Sequence, residues 1–281
     1  VTGRSDQAAL PVIEVGQPRI GVRLGPWSMI IIGVATVLGL AMFGWPLWIP
    51  VTPEPGQHSG DAPFIFSALL PIIVLLVLAQ LTEGGMDSRS LAMLGVLSAL
   101  NAAIRPTLGA GTAGVESVFF LLILAGRVFG PGFGYLLGCT SLFASALLTG
   151  GVGPWLPFQM MCSAWIGLGA GLLPRRVRGR AELAMLIGYG IVSAYLFGLL
   201  MNLWFWPFIT GISVEGFGGA DGALDYRAGA PLLENLRSFV LFSLVTSTGG
   251  WDTGRAITNT IALLILGPAM LAVLRRANRS Q

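Results

Sequence analysis

The chain has 281 residues, of which 54% are hydrophobic and only 10% charged, and its mean hydropathy is +0.78. A water-soluble domain carries nearer a quarter charged residues, so this composition excludes an ordinary soluble fold. The basic balance comes wholly from 16 arginines, without a lysine; an isoelectric point near 9.3 would suit nucleic acid, but arginines gathered at the cytoplasmic ends of membrane spans fit better, and no nucleic-acid partner is expected.

Residues 1–26 are polar and mixed in charge. They lack the apolar core and small-residue cleavage site of a signal peptide and read as a poorly ordered cytoplasmic tail. Residues 27–49 are the first apolar run, long enough to cross about 30 Å of hydrocarbon at about 1.5 Å per residue. Trp27, Trp45 and Trp48 stand at its ends, where aromatic belts form. The Pro/Gly-rich loop 50–63 leads to a return span, 64–82, which Pro71 should kink. Four apolar runs joined by short Gly/Pro turns follow near 90–108, 114–128, 132–149 and 155–173. The second is short for a span and is expected to tilt or re-enter. After Arg175, Arg176, Arg178 and Arg180 comes a long span, 183–208, and then a Gly-rich acidic loop, 209–235. Residues 236–248 are too short to cross reliably and read as an outer cap or partial helix. The last span, 256–274, runs into an arginine tail.

These spans predict eight crossings with both termini in the cytoplasm. Of the arginines, 12 then fall on the inner side, and only Arg105, Arg227, Arg237 and Arg255 on the outer side, as the positive-inside rule requires. The outer side collects most of the acid, Glu116 and Asp252 included.

Few polar residues fall within reach of the membrane. Arg105 and Glu116 flank the Gly-rich turn 109–114 at the outer boundary. They read either as the polar rim of an outward-facing solute pocket or as a mutual salt bridge, or as side chains snorkelling to the headgroups. Asp252, Arg255 and Asn259 follow at helical spacing on one face of the last span; they read as ligand contacts, with a simple helix cap as the other use of Asp252. Trp155 and Gln159 open the fourth run, Asn202 and Trp206 close the fifth, and Trp251 precedes the last. Such tryptophans are interface anchors or the walls of a pocket for a flat organic ligand. Gly95, Ala99 and Ala103 form a small-residue ridge that admits another helix, from this chain or from a partner.

Cys139 and Cys162 lie inside apolar runs and read as small buried hydrophobes, and His58 is the one histidine. No zinc-ligand cluster, His-Glu-x-x-His or phosphate-binding Gly-x-x-x-x-Gly-Lys sequence occurs. No base stands near a nucleophile, so neither a cofactor nor a catalytic residue is called for and the chain does not read as an enzyme.

Residues 88–275 resemble the substrate-binding S components of energy-coupling factor (ECF) transporters. The likeness lies in an ordered set: Ala99-x-x-x-Ala103, a short second span, Gly130-Pro131-Gly132-Phe133-Gly134, Gly138, the Gly-rich end Gly167 to Gly171, then Trp251-Asp252-Thr253-Gly254-Arg255-Ala256-Ile257-Thr258-Asn259 with Gly267-Pro268 and an arginine tail. The resemblance implies an all-α polytopic membrane protein with a six-helix S-component-like core (88–275), here preceded by an N-terminal two-helix hairpin (27–82) and flanked by cytoplasmic tails 1–26 and 276–281. It implies capture of a vitamin or related micronutrient at the outer face of the cell membrane, and association with a transmembrane T component and two ABC-type ATPases. The ridge at Gly95, Ala99 and Ala103 would dock the T component. The substrate pocket would be lined by 106–116, 150–159 and the outer ends of the last two spans. The long outer loop and outer tryptophans suggest a sizeable ligand, a corrinoid such as cobalamin first, then riboflavin-like or thiamine-like vitamins. Two other readings stand beside this one. A standalone ion-coupled carrier would require midplane ionisable residues or inverted repeats. A non-transporting membrane scaffold would make the polar clusters structural.

Overall fold

A computed structural model describes residues 20–22, 24–48, 72, 79, 86–107, 116–153, 155–209 and 224–279. Among them every regular element is helical. Helix α1 (Pro26–Phe43) and the short α2 (Trp45–Trp48) precede α3 (Ser88–Thr107), α4 (Val118–Phe129), α5 (Pro131–Thr149), α6 (Leu156–Leu172) and α7 (Arg180–Phe205). A 3-10 turn, Trp206–Ile209, follows; then come α8 (Leu232–Ser243), a π-helical stretch Leu244–Asp252, and α9 (Thr253–Arg279). The second arm of the expected hairpin, apart from Ile72 and Ala79, the whole of the turn 109–114 and residues 210–223 of the loop 209–235 lie outside the described residues.

The distribution of polarity is the reverse of a soluble protein's. Asn101, Ser141, Ser163, Glu182 and Asn259 are buried, while Val37, Val96, Ile257, Ile265 and Leu266 are exposed. In water such a surface would be a large apolar patch; in lipid it is the solvated face. Helices α1, α5, α7 and the continuous rod Leu232–Arg279 are each long and apolar enough to cross a membrane. The chain is an all-α polytopic membrane protein.

Helix α4 is the centre of the bundle. Its 12 residues span only about 18 Å, well short of the hydrocarbon core. The sequence pattern suggested a tilted or re-entrant segment to cover that deficit. Instead, Val118 through Gly126 are all buried, wrapped by α3, α5, α6, α7 and α9. A helix that touches protein on every side has no lipid thickness to match, so its length is free to be short.

Close approach around α4 depends on missing side chains. A Cβ on Gly134 or on Gly126 would overlap the Gly167 carbonyl, and one on Gly167 would overlap that of Gly134. Gly138 meets the backbone of Ser163 and Ala164 in the same way, and Gly171 that of Pro131. Helices α5 and α6 therefore pack backbone to backbone, the membrane solution where helix association has little hydrophobic drive.

Three expectations change. The N-terminal tail is not free up to residue 26: Ile20 and Val22 are buried, the Gly21 N–H donates to Ser90 Oγ at 3.1 Å, and Leu24 fills the space beside Gly132. Two apolar side chains at alternate positions gain a core slot there, which a tally of tail charge does not reveal. Residues 236–248, read as an outer cap or a partial helix, prove helical: they fall in α8 and the π-helical stretch, which runs on into α9. The last helix begins at Thr253, and Asp252 is spent on an ion pair rather than on capping it, as described below. Asp87 does serve as a cap: Ser90 N–H donates to its Oδ1 at 2.9 Å at the start of α3, and the Ser90 hydrogen bonds hold this carboxyl below the usual carboxylate range.

Gly167→Val places a side chain where the α5 backbone stands at Gly134. It should destabilise the detergent-solubilised protein by more than the about 1–3 kcal/mol typical of overpacking, seen as loss of the monodisperse peak or a large fall in Tm. Gly95→Val, whose Cβ meets nothing within 4 Å among the described residues, should leave both unchanged.

Candidate functional site: a buried charge chain at one end of the bundle

Arg105 closes α3, Glu116 immediately precedes α4, Gln159 opens α6, and Arg255 and Asn259 occupy the first turns of α9. Antiparallel succession brings these ends together. Arg105 Nε donates to Glu116 Oε1 at 3.1 Å and Arg255 Nε to Glu116 Oε2 at 3.0 Å, so one carboxylate is divided between two helices. Arg255 Nη1 also donates to Asp252 Oδ1 at 3.0 Å, and Ser247 Oγ donates to Asp252 Oδ2 at 2.6 Å. Arg105 extends the chain the other way, donating from Nη2 to Gln159 Oε1 at 3.3 Å and reaching Ser145 Oγ on α5 at 3.5 Å. Asn259 Nδ2 donates to the backbone carbonyls of Glu116 and Arg255 at 2.9 and 2.8 Å.

The environment makes these bonds strong. The Arg255 and Asp252 side chains are 10% and 3% exposed, Glu116 14% and Arg105 19%. Phe197 lies under the Arg255 guanidinium, 4.7 Å from its carbon to the ring centroid, and Phe119 stands at 5.9 Å. Arg255 thus combines two carboxylate partners with an aromatic floor. Gly198 leaves the room: a Cβ there would overlap the Asp252 carboxylate. Two arginines oppose two carboxylates, so the chain is electroneutral.

Polar groups without partners surround it. Among the described residues Ser117 Oγ, Asn259 Oδ1 and Asn202 Nδ2 are buried without a hydrogen bond. Asn202 stands one turn beyond Gly198 on α7, on the same face. Each such group costs about 1–3 kcal/mol if nothing satisfies it; others stand elsewhere in the bundle, Tyr135 Oη and Asn278 Oδ1 among them.

The structure joins Arg105, Glu116, Gln159, Asp252, Arg255 and Asn259; Asn202 lies one turn past Gly198 on α7. It does not join the tryptophans. Trp206 is buried against Tyr226 and Phe239 and donates Nε1–H to the Leu224 carbonyl; Trp155 and Trp251 are partly exposed, and Trp155 bonds the Gly151 carbonyl within its own turn. Ser145, Ser247, Phe197 and Gly198 belong to the site and gave no sequence signal, being small or apolar residues in apolar runs.

A second ion cluster closes the opposite end. Arg127 Nε and Arg275 Nη2 both donate to Glu182 Oε1 at 2.6 Å, and Arg127 also donates to the carbonyls of Leu173 and Val177. Glu182, the only acid between residues 117 and 214, was passed over among the arginines around it. Gly95, Ala99 and Ala103 lie on an exposed face of α3 beside Val96 and Leu100.

Set beside known proteins, residues 89–249 match the family described as ECF transporter, substrate-specific component. More than half of the chain is matched, and the chain belongs to that family: it is a substrate-specific subunit of an ECF-type transporter. No curated protein and no solved structure matches it. Membership implies association with a T component and ATPases.

Glu116→Gln leaves two buried guanidinium groups short of a shared counter-ion and should destabilise the fold by about 3–5 kcal/mol. Arg227→Ala, which breaks the exposed 2.8 Å pair with Glu234, should cost no more than about 1 kcal/mol. Thermal unfolding of both variants in one detergent gives the comparison.

Proposed function

We propose that the chain captures a vitamin or related micronutrient at the outer face of the cell membrane, with the Arg105–Glu116–Arg255–Asp252 chain as the floor of the binding pocket. The observation that carries this reading is the convergence of five separate chain segments on one electroneutral, largely buried hydrogen-bonding array bordered by unpartnered polar groups. A scaffold has no use for unpartnered donors and acceptors at that cost. An ion-coupled carrier needs a carboxylate free to take up and release its ion, whereas Glu116 and Asp252 are both committed to arginine.

Electroneutrality suits a solute that is polar but carries little net charge, held by many hydrogen bonds rather than by a field. Among vitamins, a corrinoid such as cobalamin is the first candidate, and riboflavin-like and thiamine-like vitamins come next. The arginine distribution supports an orientation with the Glu182 end and both termini in the cytoplasm. The exposed ridge Gly95, Ala99 and Ala103 then faces the T component, since small residues let a partner helix approach closely.

Purified alone, the chain should carry a stoichiometric small molecule identifiable by mass spectrometry and absorbance, or bind one from a vitamin panel. Arg105→Ala should weaken that binding at least tenfold in protein that remains folded. An empty protein that binds no panel member, or unaltered affinity in the variant, contradicts the reading. Separately, Ala99→Trp should abolish co-purification with the T component while ligand binding persists; unchanged co-purification removes the ridge from the interface.

A further inference from the structure

At the Glu182 end, α7 and α9 frame a cavity of about 360 Å³. Its polar wall is Arg180, Glu182 and Arg275, and its apolar wall is Leu183, Leu271 and Ala272. The two helices touch at Gly267, where an added Cβ would stand 3.2 Å from Leu183 Cδ1; next to it, Pro268 belongs to the cavity lining. The cavity therefore lies between two long helices, beside the outward-facing residues Ile265, Leu266 and Val273 of α9.

The charge of this cavity does not balance. Glu182 is shared by Arg127 and Arg275, so one carboxylate faces two guanidinium groups before Arg180 is added. Arg127 turns its remaining donors to the Leu173 and Val177 carbonyls. Arg275 binds Glu182 through Nη2 and its side chain is 38% exposed, which leaves the rest of a five-donor fork toward the cavity. Arg180 is exposed. Gly179, with φ of 66°, starts α7 without a capping side chain, so the positive end of a 26-residue helix adds to the same field. Arg175, Arg176 and Arg178 are exposed in the preceding turn.

We propose that this cavity binds the headgroup of an anionic phospholipid, its phosphate between Arg180 and Arg275 and its first acyl carbons along Leu183 and Leu271. A phosphate supplies the acceptors and the charge that Glu182 cannot, and arginine matches its geometry with paired donors. The apolar wall selects lipid over a free anion. A soluble phosphate would leave Leu183, Leu271 and Ala272 facing water, whereas a phospholipid covers them and continues into the bilayer alongside α9. Basic pockets between membrane helices at the cytoplasmic surface take such headgroups generally. The lipid would brace α7 against α9 at the end where only one carboxylate holds three elements together. This site is independent of the solute bound at the opposite end.

The test is native mass spectrometry of the full-length chain, with titration of dioleoylphosphatidylglycerol, dioleoylphosphatidylcholine and inorganic phosphate. The wild type should retain phosphatidylglycerol at one equivalent and prefer it over phosphatidylcholine about tenfold or more. Arg180→Ala should weaken binding about fivefold, the effect expected of one arginine near a membrane surface, and Arg180→Ala/Arg275→Ala should abolish the preference. Ala272→Trp, at the exposed rim, should block the lipid by filling the cavity while leaving every charge in place, which guards against misfolding of the double variant. Equal retention of the two lipids, an unchanged preference in both the double variant and Ala272→Trp, or saturation by inorganic phosphate without lipid retention would overturn the proposal.

Discussion

Everything in this bundle has to accommodate a helix too short for the membrane it sits in. Helix α4 covers about 18 Å and is charged next to both ends, with Glu116 just before it and Arg127 in its last turn. Two ion clusters only that far apart cannot both reach the headgroups across about 30 Å of hydrocarbon. Protein must therefore solvate them, and it does: Arg105, Arg255 and Asn259 close over Glu116, while Glu182, Leu173 and Val177 close over Arg127. The surrounding helices are positioned by what these two charges need.

The glycines follow from the same constraint. To surround α4, helices α5 and α6 must pass within backbone contact of each other and of Gly126, and only Gly134, Gly138, Gly167 and Gly171 permit this. Gly198 performs the matching service at the Glu116 network by admitting Asp252. Small residues, rather than large apolar ones, thus determine how close the charged ends can come, and the Leu, Ile and Val residues are released to face lipid.

Much of this could be read in the sequence because membrane burial leaves strong marks. An arginine or carboxylate in an apolar chain stands out, so Arg105, Glu116, Asp252, Arg255 and Asn259 were recognisable one by one, and the 3.6-residue period of α9 placed three of them on a face. Spaced glycines stood out in the third and fourth runs, but nothing said that they face each other across α5 and α6. What remained hidden was pairing at long range. Nothing local links Glu116 to Arg255, and Asp252 read as a ligand contact or a helix cap rather than as the partner of Arg255. Trp206 looked like an anchor or pocket wall because tryptophan suits both, whereas its neighbours Tyr226 and Phe239 bury it in a small core of their own. Glu182 was masked by the arginines around it, although the one acid in a long stretch without another is the residue most in need of explanation. Ile20 and Val22 were lost in a polar tail for the opposite reason.

The family assignment and the physical reading meet at the Glu116 end of the bundle. A subunit that selects a solute needs hydrogen-bonding groups held rigidly before the solute arrives, and a charge chain anchored on α3, α4, α6 and α9 supplies that rigidity. The most direct measurement is an experimental structure of the chain with its solute bound. The account predicts density for the solute in contact with Arg105, Gln159 or Arg255 and with hydrogen bonds completed at Asn202 or Asn259. A solute bound elsewhere, with the Arg105–Glu116–Arg255–Asp252 chain sealed from it by protein, would contradict the account and reduce that chain to a structural brace.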